Sequence, residues 1–413
     1  MPLPPFPICA PAGPVAQSRP ARSVAVRVLF SKMKITPLAR MARACTVAVL
    51  ACASAVHAAD VKVGNTFPPA ARAALDAALD QSFAASKAPG AVVGIWVPGE
   101  GTYIATRGYA DRATKQPMRV DDHFRIGSNT KTFTATLLLI LADEKKLSLD
   151  DPVSKYEPWV PNGQNMTLRM LADMTAGIPS YSEDDNWVKL AFSNYARGWT
   201  PRELVEWGLK TTPSFPPGKG WHYSNTNYVL LGMILEKVSG MKIEALLKQK
   251  IYTPLGLTQT SFPSTSAMPV PFARGITAQS LDNTVSDATT RNPSWGFTAG
   301  QMISNLADMH TWVVSYTTGT LVSPQMQQAR LTWVTLPPNT PDRRYGMGIG
   351  DGSGWLGHTG ELPGYNTAGY YLPGKKATIV VLVNSDIAVG NDNPAPLIFK
   401  ALAAVVAPEN APK

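Results

Sequence analysis

The sequence predicts an α/β (α+β) fold, an antiparallel sheet flanked by helices and interrupted by an inserted, mostly helical region. Three observations predict it: strand hairpins near both ends of the body, a strongly apolar helix after the first hairpin, and a long middle stretch of short helical runs. With 413 residues, 45% of them hydrophobic and 16% charged, the chain can bury a full core and a cleft, and is neither disordered nor fibrous.

The first element is a leader over residues 1–59. It holds seven of the 38 Lys and Arg residues, none of the 29 Asp and Glu residues, and all three cysteines, Cys9, Cys45 and Cys52. The formal charge of +9 therefore falls to +2 over residues 60–413, which argues against nucleic-acid binding through a phosphate footprint. A thiol-free body also excludes disulfides, cysteine–zinc sites and a cysteine nucleophile there. From Met41, a basic start at Arg43, an apolar run from Ala44 to Val56 and small residues to Ala59 form the three-part pattern of a secretory signal. Cleavage after Ala58 or Ala59 starts the mature chain near Asp60. The run is shorter than the ~20 apolar residues a membrane helix needs. An apolar helix packed on the body is the other reading, and Leu50-Ala51-Cys52 loosely matches a lipoprotein attachment site. Residues 1–40, Pro-rich and acid-free with alternative starts at Met33 and Met41, read as an over-called start. The expectation is a periplasmic or secreted protein with no membrane span.

Residues 60–146 and 296–413 are expected to build the sheet domain, and residues 147–295 the helical insertion. Apolar groups at helical spacing predict a helix over 69–86. Ala91–Val97 and Thr102–Tyr109, joined by a Pro-Gly-Glu-Gly turn, predict a hairpin. Asn129 to about Asp143 predicts an apolar helix that ends at the polar Glu144–Lys146. In the insertion, Pro201–Gly208 and Tyr228–Ser239 are helical runs among Pro, Gly, Asn and Ser loops. Gly364–Leu372 and Ala377–Ser385 form the second hairpin, and Pro394–Val406 a closing helix. Strands at both ends with helices between them imply one sheet assembled from distant segments.

Ser128 and Lys131 stand three residues apart at the start of the apolar helix, on one face. A serine hydroxyl is a poor nucleophile until a base removes its proton, and a lysine pushed neutral by burial can be that base. The pattern is weak alone, since Ser31 and Lys34 repeat it in the leader, and an isolated copy reads equally as a helix cap and a solvated lysine. Its company gives it weight. Tyr223-Ser224-Asn225 follows a Pro-Pro-Gly-Lys-Gly loop at 216–220; a tyrosine held near a lysine can act as a base, and Asn225 can orient a substrate amide or the lysine. His358-Thr359-Gly360 leads into a hairpin strand whose edge can pair an extended substrate and offer backbone N–H groups to an oxyanion. Glu183-Asp184-Asp185 reads as a solvated acidic loop rather than a metal site. His123 and His310 read as structural.

The chain resembles the serine β-lactamases and penicillin-binding D-alanyl-D-alanine peptidases, which carry Ser-x-x-Lys, Tyr-x-Asn or Ser-x-Asn, and Lys-Thr-Gly or His-Thr-Gly in this order. The Tyr-x-Asn form is similar to the class C branch. Thr298–Asp308 and Tyr345-Gly346-Met347-Gly348 resemble lesser features of the family, and the likeness spans roughly residues 70–405. It implies a β-lactamase/transpeptidase-like fold, Ser128 as the acylated nucleophile, and Lys131 with Tyr223 for the proton work. It also implies Asn225 on the substrate amide, backbone N–H groups of Ser128 and Glu361 as the oxyanion hole, and Thr359 near the substrate carboxylate.

His358 departs from the lysine usual in β-lactamases and offers a carboxylate less attraction. That favours a carboxypeptidase, esterase or aminopeptidase over an efficient β-lactamase. The first expectation is an exported serine acyl hydrolase of the D-alanyl-D-alanine carboxypeptidase kind, acting through an acyl-enzyme on a small molecule or a peptide such as a peptidoglycan stem peptide. No cofactor is implied. An esterase, D-amino-acid amidase or weak β-lactamase on the same site is the alternative, decided by a pocket lining of Tyr181, Trp187, Trp295 and Phe297. A non-catalytic module that binds cell-wall peptide or β-lactam is the alternative from another class.

Overall fold

The computed structural model describes residues 65–336 and 343–412. The predicted leader, its cleavage site and the Ser31/Lys34 pair lie outside the described residues.

One antiparallel sheet organises the body. Its strands are β1 (Gly90–Val97), β2 (Gly101–Asp111), β3 (Gln116–Pro117), β8 (Val334–Thr335), β9 (Arg343–Tyr345), β10 (Gly350–Gly352), β11 (Trp355–Leu362), β12 (Tyr365–Leu372) and β13 (Ala377–Val383). They run in the order β3-β2-β1-β13-β12-β11-β10-β9-β8. Two small ladders lie between: β4 (Phe124–Arg125) pairs with β7 (Ile303–Ser304), and β5 (Ile276–Thr277) with β6 (Ser286–Asp287). Pairing of β1 with β13, Ala91 opposite Val383, closes the sheet from segments almost 300 residues apart.

Side chains alternate across a strand, so β1 and β13 serve two cores. Ala91, Val93, Ile95, Ile379, Val381 and Val383 face a cluster formed with α1 (Pro69–Ser86) and α12 (Pro394–Val406). Val92, Val380 and Leu382 face the other way, into a larger cluster with α2 (Thr130–Asp143) and the middle of the chain. The middle holds α3 (Leu168–Ala172), α4 (Asp185–Ser193), α5 (Pro201–Leu209), α6 (Asn225–Ser239), α7 (Ile243–Leu247), α8 (Thr253–Leu255), α9 (Phe297–Gly300), α10 (Leu306–Thr318) and α11 (Pro324–Arg330). Among the described residues, no helix is long and apolar enough to cross a membrane.

Two details differ from the sequence reading. The helix expected near Tyr228 begins at Asn225, because the Asn225 N–H is capped by Ser180 Oγ at 3.1 Å, a partner 45 residues away. A short tight turn, Gly127–Asn129, precedes α2. Ser128 therefore sits on a turn and Lys131 in the first turn of a helix.

Candidate active site

Every residue of α2 from Thr130 to Leu141 is buried. A helix buried all round must satisfy its polar side chains inside the protein. Thr134 Oγ1 donates to Thr298 O at 2.8 Å, and Thr132 Oγ1 accepts from Trp312 Nε1 at 2.7 Å. Lys131 is fully buried. Its Nζ donates to Ser128 Oγ at 3.0 Å, Asn225 Oδ1 at 2.7 Å and Ala299 O at 2.8 Å.

These three partners divide the work. Asn225 Oδ1 and the Ala299 carbonyl are acceptors only, so they take two of the three Nζ protons. The third position faces the half-buried Ser128 hydroxyl. It carries a proton in the ammonium form and a lone pair in the neutral amine, so the neutral form can take the serine proton without moving. The ring of Tyr223 lies 4.7 Å from Nζ and that of Tyr228 5.7 Å from it.

The opposite wall is β11. A two-residue turn at Pro363-Gly364 makes Leu362 and Tyr365 a hydrogen-bonded pair, and the register runs Leu362 to Tyr365, Glu361 to Asn366, Gly360 to Thr367. By this alternation the backbone N–H of Glu361 points away from β12. β10 pairs only with residues 355–357, so this edge of β11 lies open beyond it. The turn before Ser128 is pressed against the face of β11 and β12 beside this edge. A Cβ on Gly127 would lie 2.3 Å from Glu361 N, and one on Gly360 would lie 1.9 Å from Ile126 O. Gly127 has φ +52. Thr367 Oγ1 stitches the contact, donating to Ile126 O at 3.1 Å and accepting from Asn129 Nδ2 at 2.8 Å. The residue before Ser128 thus lies directly on the backbone N of Glu361.

His358 is buried, with its Nδ1 on the Thr359 carbonyl and its Nε2 3.0 Å from Tyr345 Oη. A carbonyl only accepts, so Nδ1 carries the proton and Nε2 accepts from the tyrosine. Burial, with the Lys131 charge adding to it, pushes the pKa of His358 down to about 3. The imidazole is neutral at any physiological pH. Glu361 is held by Gln279 Nε2 at 3.1 Å and Asn393 Nδ2 at 2.7 Å. Burial, followed by the nearby Asp386 carboxylate, raises its pKa well above the usual range. Thr359 is half-buried on the strand between them.

The structure therefore brings Ser128, Lys131, Tyr223, Asn225, His358, Thr359, Gly360 and Glu361 to one junction between α2, α6 and β11. Sequence reasoning missed Ala299, Ser180, Ser182 and the hydroxyl of Tyr345 as members of the network. Ala299 and Tyr345 lay inside segments noted for other reasons; the two serines carried no signal. The expected pocket lining is corrected: Tyr181, Trp187 and Phe297 are buried, and Tyr181, Trp187 and Trp295 pack as an aromatic block with ring centroids 5.0 and 5.8 Å apart. Elsewhere, Asp184 caps α4 and Glu183 pairs with His222. His123 bonds the Pro271 carbonyl and His310 stacks on Trp96.

A family model described as Beta-lactamase matches residues 75–403. The chain belongs to the β-lactamase family, has the β-lactamase/transpeptidase-like fold, and is a serine hydrolase of that superfamily. The putative penicillin-binding protein PbpX of Bacillus subtilis is 28% identical over 282 residues, 67% of this chain and 66% of that protein. A D-stereospecific amidohydrolase from Streptomyces superposes with a TM-score of 0.73 at 32% identity, covering 82% of this chain and 99% of that one. The D-amino acid amidase of Ochrobactrum anthropi, solved with D-phenylalanine, gives a TM-score of 0.72 at 25% identity over 82% of this chain and 98% of that one.

Proposed function

We propose that this protein is an exported, D-stereospecific acyl hydrolase that cleaves the amide bond on the carbonyl side of a D-amino acid. Ser128 Oγ attacks the carbonyl carbon as its proton passes to the Lys131 and Tyr223 pair. The oxyanion faces the N–H groups of Ser128 and Glu361. Collapse returns the proton to the leaving amine and leaves the acyl group on Ser128, and water then releases the acid by the same route.

The observation that carries the substrate class is the run from His358 to Glu361. Where an ammonium would attract a substrate carboxylate, this strand offers a neutral imidazole. A leaving group without a negative charge suits it better than a free carboxylate. Likeness over almost the full length of a D-stereospecific amidohydrolase supports the same choice. D-alanyl-D-alanine carboxypeptidase activity on a cell-wall peptide is the second reading, favoured by the similarity to a relative named as a penicillin-binding protein.

The test is release of p-nitroaniline from D-alanine p-nitroanilide against its L isomer, beside release of D-alanine from a D-alanyl-D-alanine peptide. The D-anilide is expected to be cleaved, the L isomer not, and the peptide more slowly. Ser128→Ala is expected to lower turnover roughly a thousandfold or more with an unchanged melting temperature. Equal rates on both isomers, or full activity without Ser128, overturn the proposal; a faster peptide selects the second reading. Export is tested by the mass of the protein recovered outside the cytoplasm, expected to start near Asp60.

A further inference from the structure

The Asn225 amide is gripped from both ends. Its Oδ1 accepts from Lys131, and its Nδ2 donates to Ser182 Oγ at 2.8 Å. With Lys131 donating to Oδ1, the amide turns its Nδ2 to Ser182, which accepts from it. Ser182 Oγ lies 2.9 Å from Ser180 Oγ, which takes the backbone N–H of Asn225. Thr226 completes the seam: its Oγ1 accepts from Tyr181 N at 3.1 Å and donates to Pro179 O at 2.7 Å. Four hydrogen bonds thus join residues 179–182 to Asn225 and Thr226.

The turn that presents these hydroxyls is itself anchored. Ser180 and Ser182 face Asn225, while Tyr181 between them is fully buried against Trp187, with its hydroxyl on the Trp295 carbonyl. Such packing fixes the turn independently of the site. Ser182 is 2% exposed, and nothing about its burial requires a hydroxyl unless that hydroxyl has work to do.

We propose that Ser182 is a positioning residue for the acyl transfer: it holds the Asn225 amide with Oδ1 on Lys131 and fixes where the second Nδ2 proton can point. Without it the amide rotates, the lysine loses one of its two permanent acceptors, and the third Nζ position no longer faces Ser128. The inference rests on the proposed reaction, since it concerns the orientation of the same lysine and serine.

The experiment is a double-mutant cycle between Ser182→Ala and Asn225→Ala on D-alanine p-nitroanilide. Ser182→Ala is expected to lower kcat about tenfold with a smaller change in KM, a loss of about 1.4 kcal/mol, within the range of one hydrogen bond. In the Asn225→Ala background the same change is expected to cost less than twofold. Ser182→Cys keeps the volume with a poor acceptor, and its loss is expected to match that of Ser182→Ala. A Ser182→Ala enzyme within twofold of wild type, losses that multiply in the double variant, or a Cys variant at the wild-type rate each overturn the inference. If the wild type leaves the D-anilide intact, the proposed substrate fails, and the cycle is read on acylation of Ser128 by p-nitrophenyl acetate. Absence of acylation there overturns both proposals.

Discussion

The two walls of the site are built in different ways. On the Ser128 side, backbone is pressed on backbone: Gly127 and Gly360 leave no room for a Cβ, and Thr367 and Asn129 stitch the contact from within the core. On the Asn225 side, the contact is made by hydroxyls and amides, through Ser180, Ser182 and Thr226. Close packing has little tolerance, whereas each hydrogen bond is worth only about 1 kcal/mol. The wall that carries the proposed oxyanion donors is therefore brittle, and the wall that orients the lysine's acceptor is compliant.

The largest test of this contrast is Gly360→Ala. One added methyl group meets the Ile126 carbonyl at 1.9 Å, and either the turn or the strand must move. Displacement of order 1 Å at a catalytic group can cost about a hundredfold in rate, and overpacking costs about 1–3 kcal/mol of stability. Both losses are expected, read as kcat/KM and as a denaturation midpoint. A Gly360→Ala enzyme with rates near wild type would show that the serine wall yields as readily as the asparagine wall, and the contrast would collapse.

Much of the brittle wall was legible in the sequence. The Ser-x-x-Lys and His-Thr-Gly segments are local patterns, and the hairpins, α1, α2 and α12 followed from periodicity and turn residues. What escaped detection depends on partners brought together only by folding. The α6 start was missed because its cap, Ser180, lies 45 residues upstream. Ala299 contributes a backbone carbonyl, which no side-chain pattern announces. Tyr181 and Trp187 were read as pocket lining because large aromatics suit both a pocket and a core, and only their burial distinguishes the two.

A smaller test uses the histidine of the brittle wall. The pKa of His358 lies at about 3 in the fold, against 6.5 for an unperturbed imidazole. Below pH 6.5 the unfolded chain takes up a proton that the folded chain refuses, so stability falls as the pH drops from 6.5 towards 3. By pH 5 the loss due to this residue is about 2 kcal/mol. His358→Asn is expected to flatten the acid side of the stability curve, measured by urea unfolding between pH 7 and 5. Parallel curves for the two proteins would place the acid sensitivity elsewhere.

The smallest expected effect belongs to the compliant wall and has the opposite sign. His222, next to Tyr223, sits 2.9 Å from Glu183, next to Ser182, so this pair spans the two segments that hold Asn225. Its hydrogen bond to Glu183 is the main cause of a pKa raised above 6.5. A raised pKa stabilises the fold where the unfolded histidine is also charged, below pH 6.5, and the contribution disappears as the pH rises through the folded value. Both side chains are about one-third exposed, so solvent screens the pair and its worth stays below about 1 kcal/mol. His222→Gln is expected to remove a slight decline in stability above pH 6.5 and leave the acid side unchanged, the reverse of His358→Asn. If the two variants bent the curve on the same side, the histidines would be reporting general charge balance rather than the separate construction of the two walls.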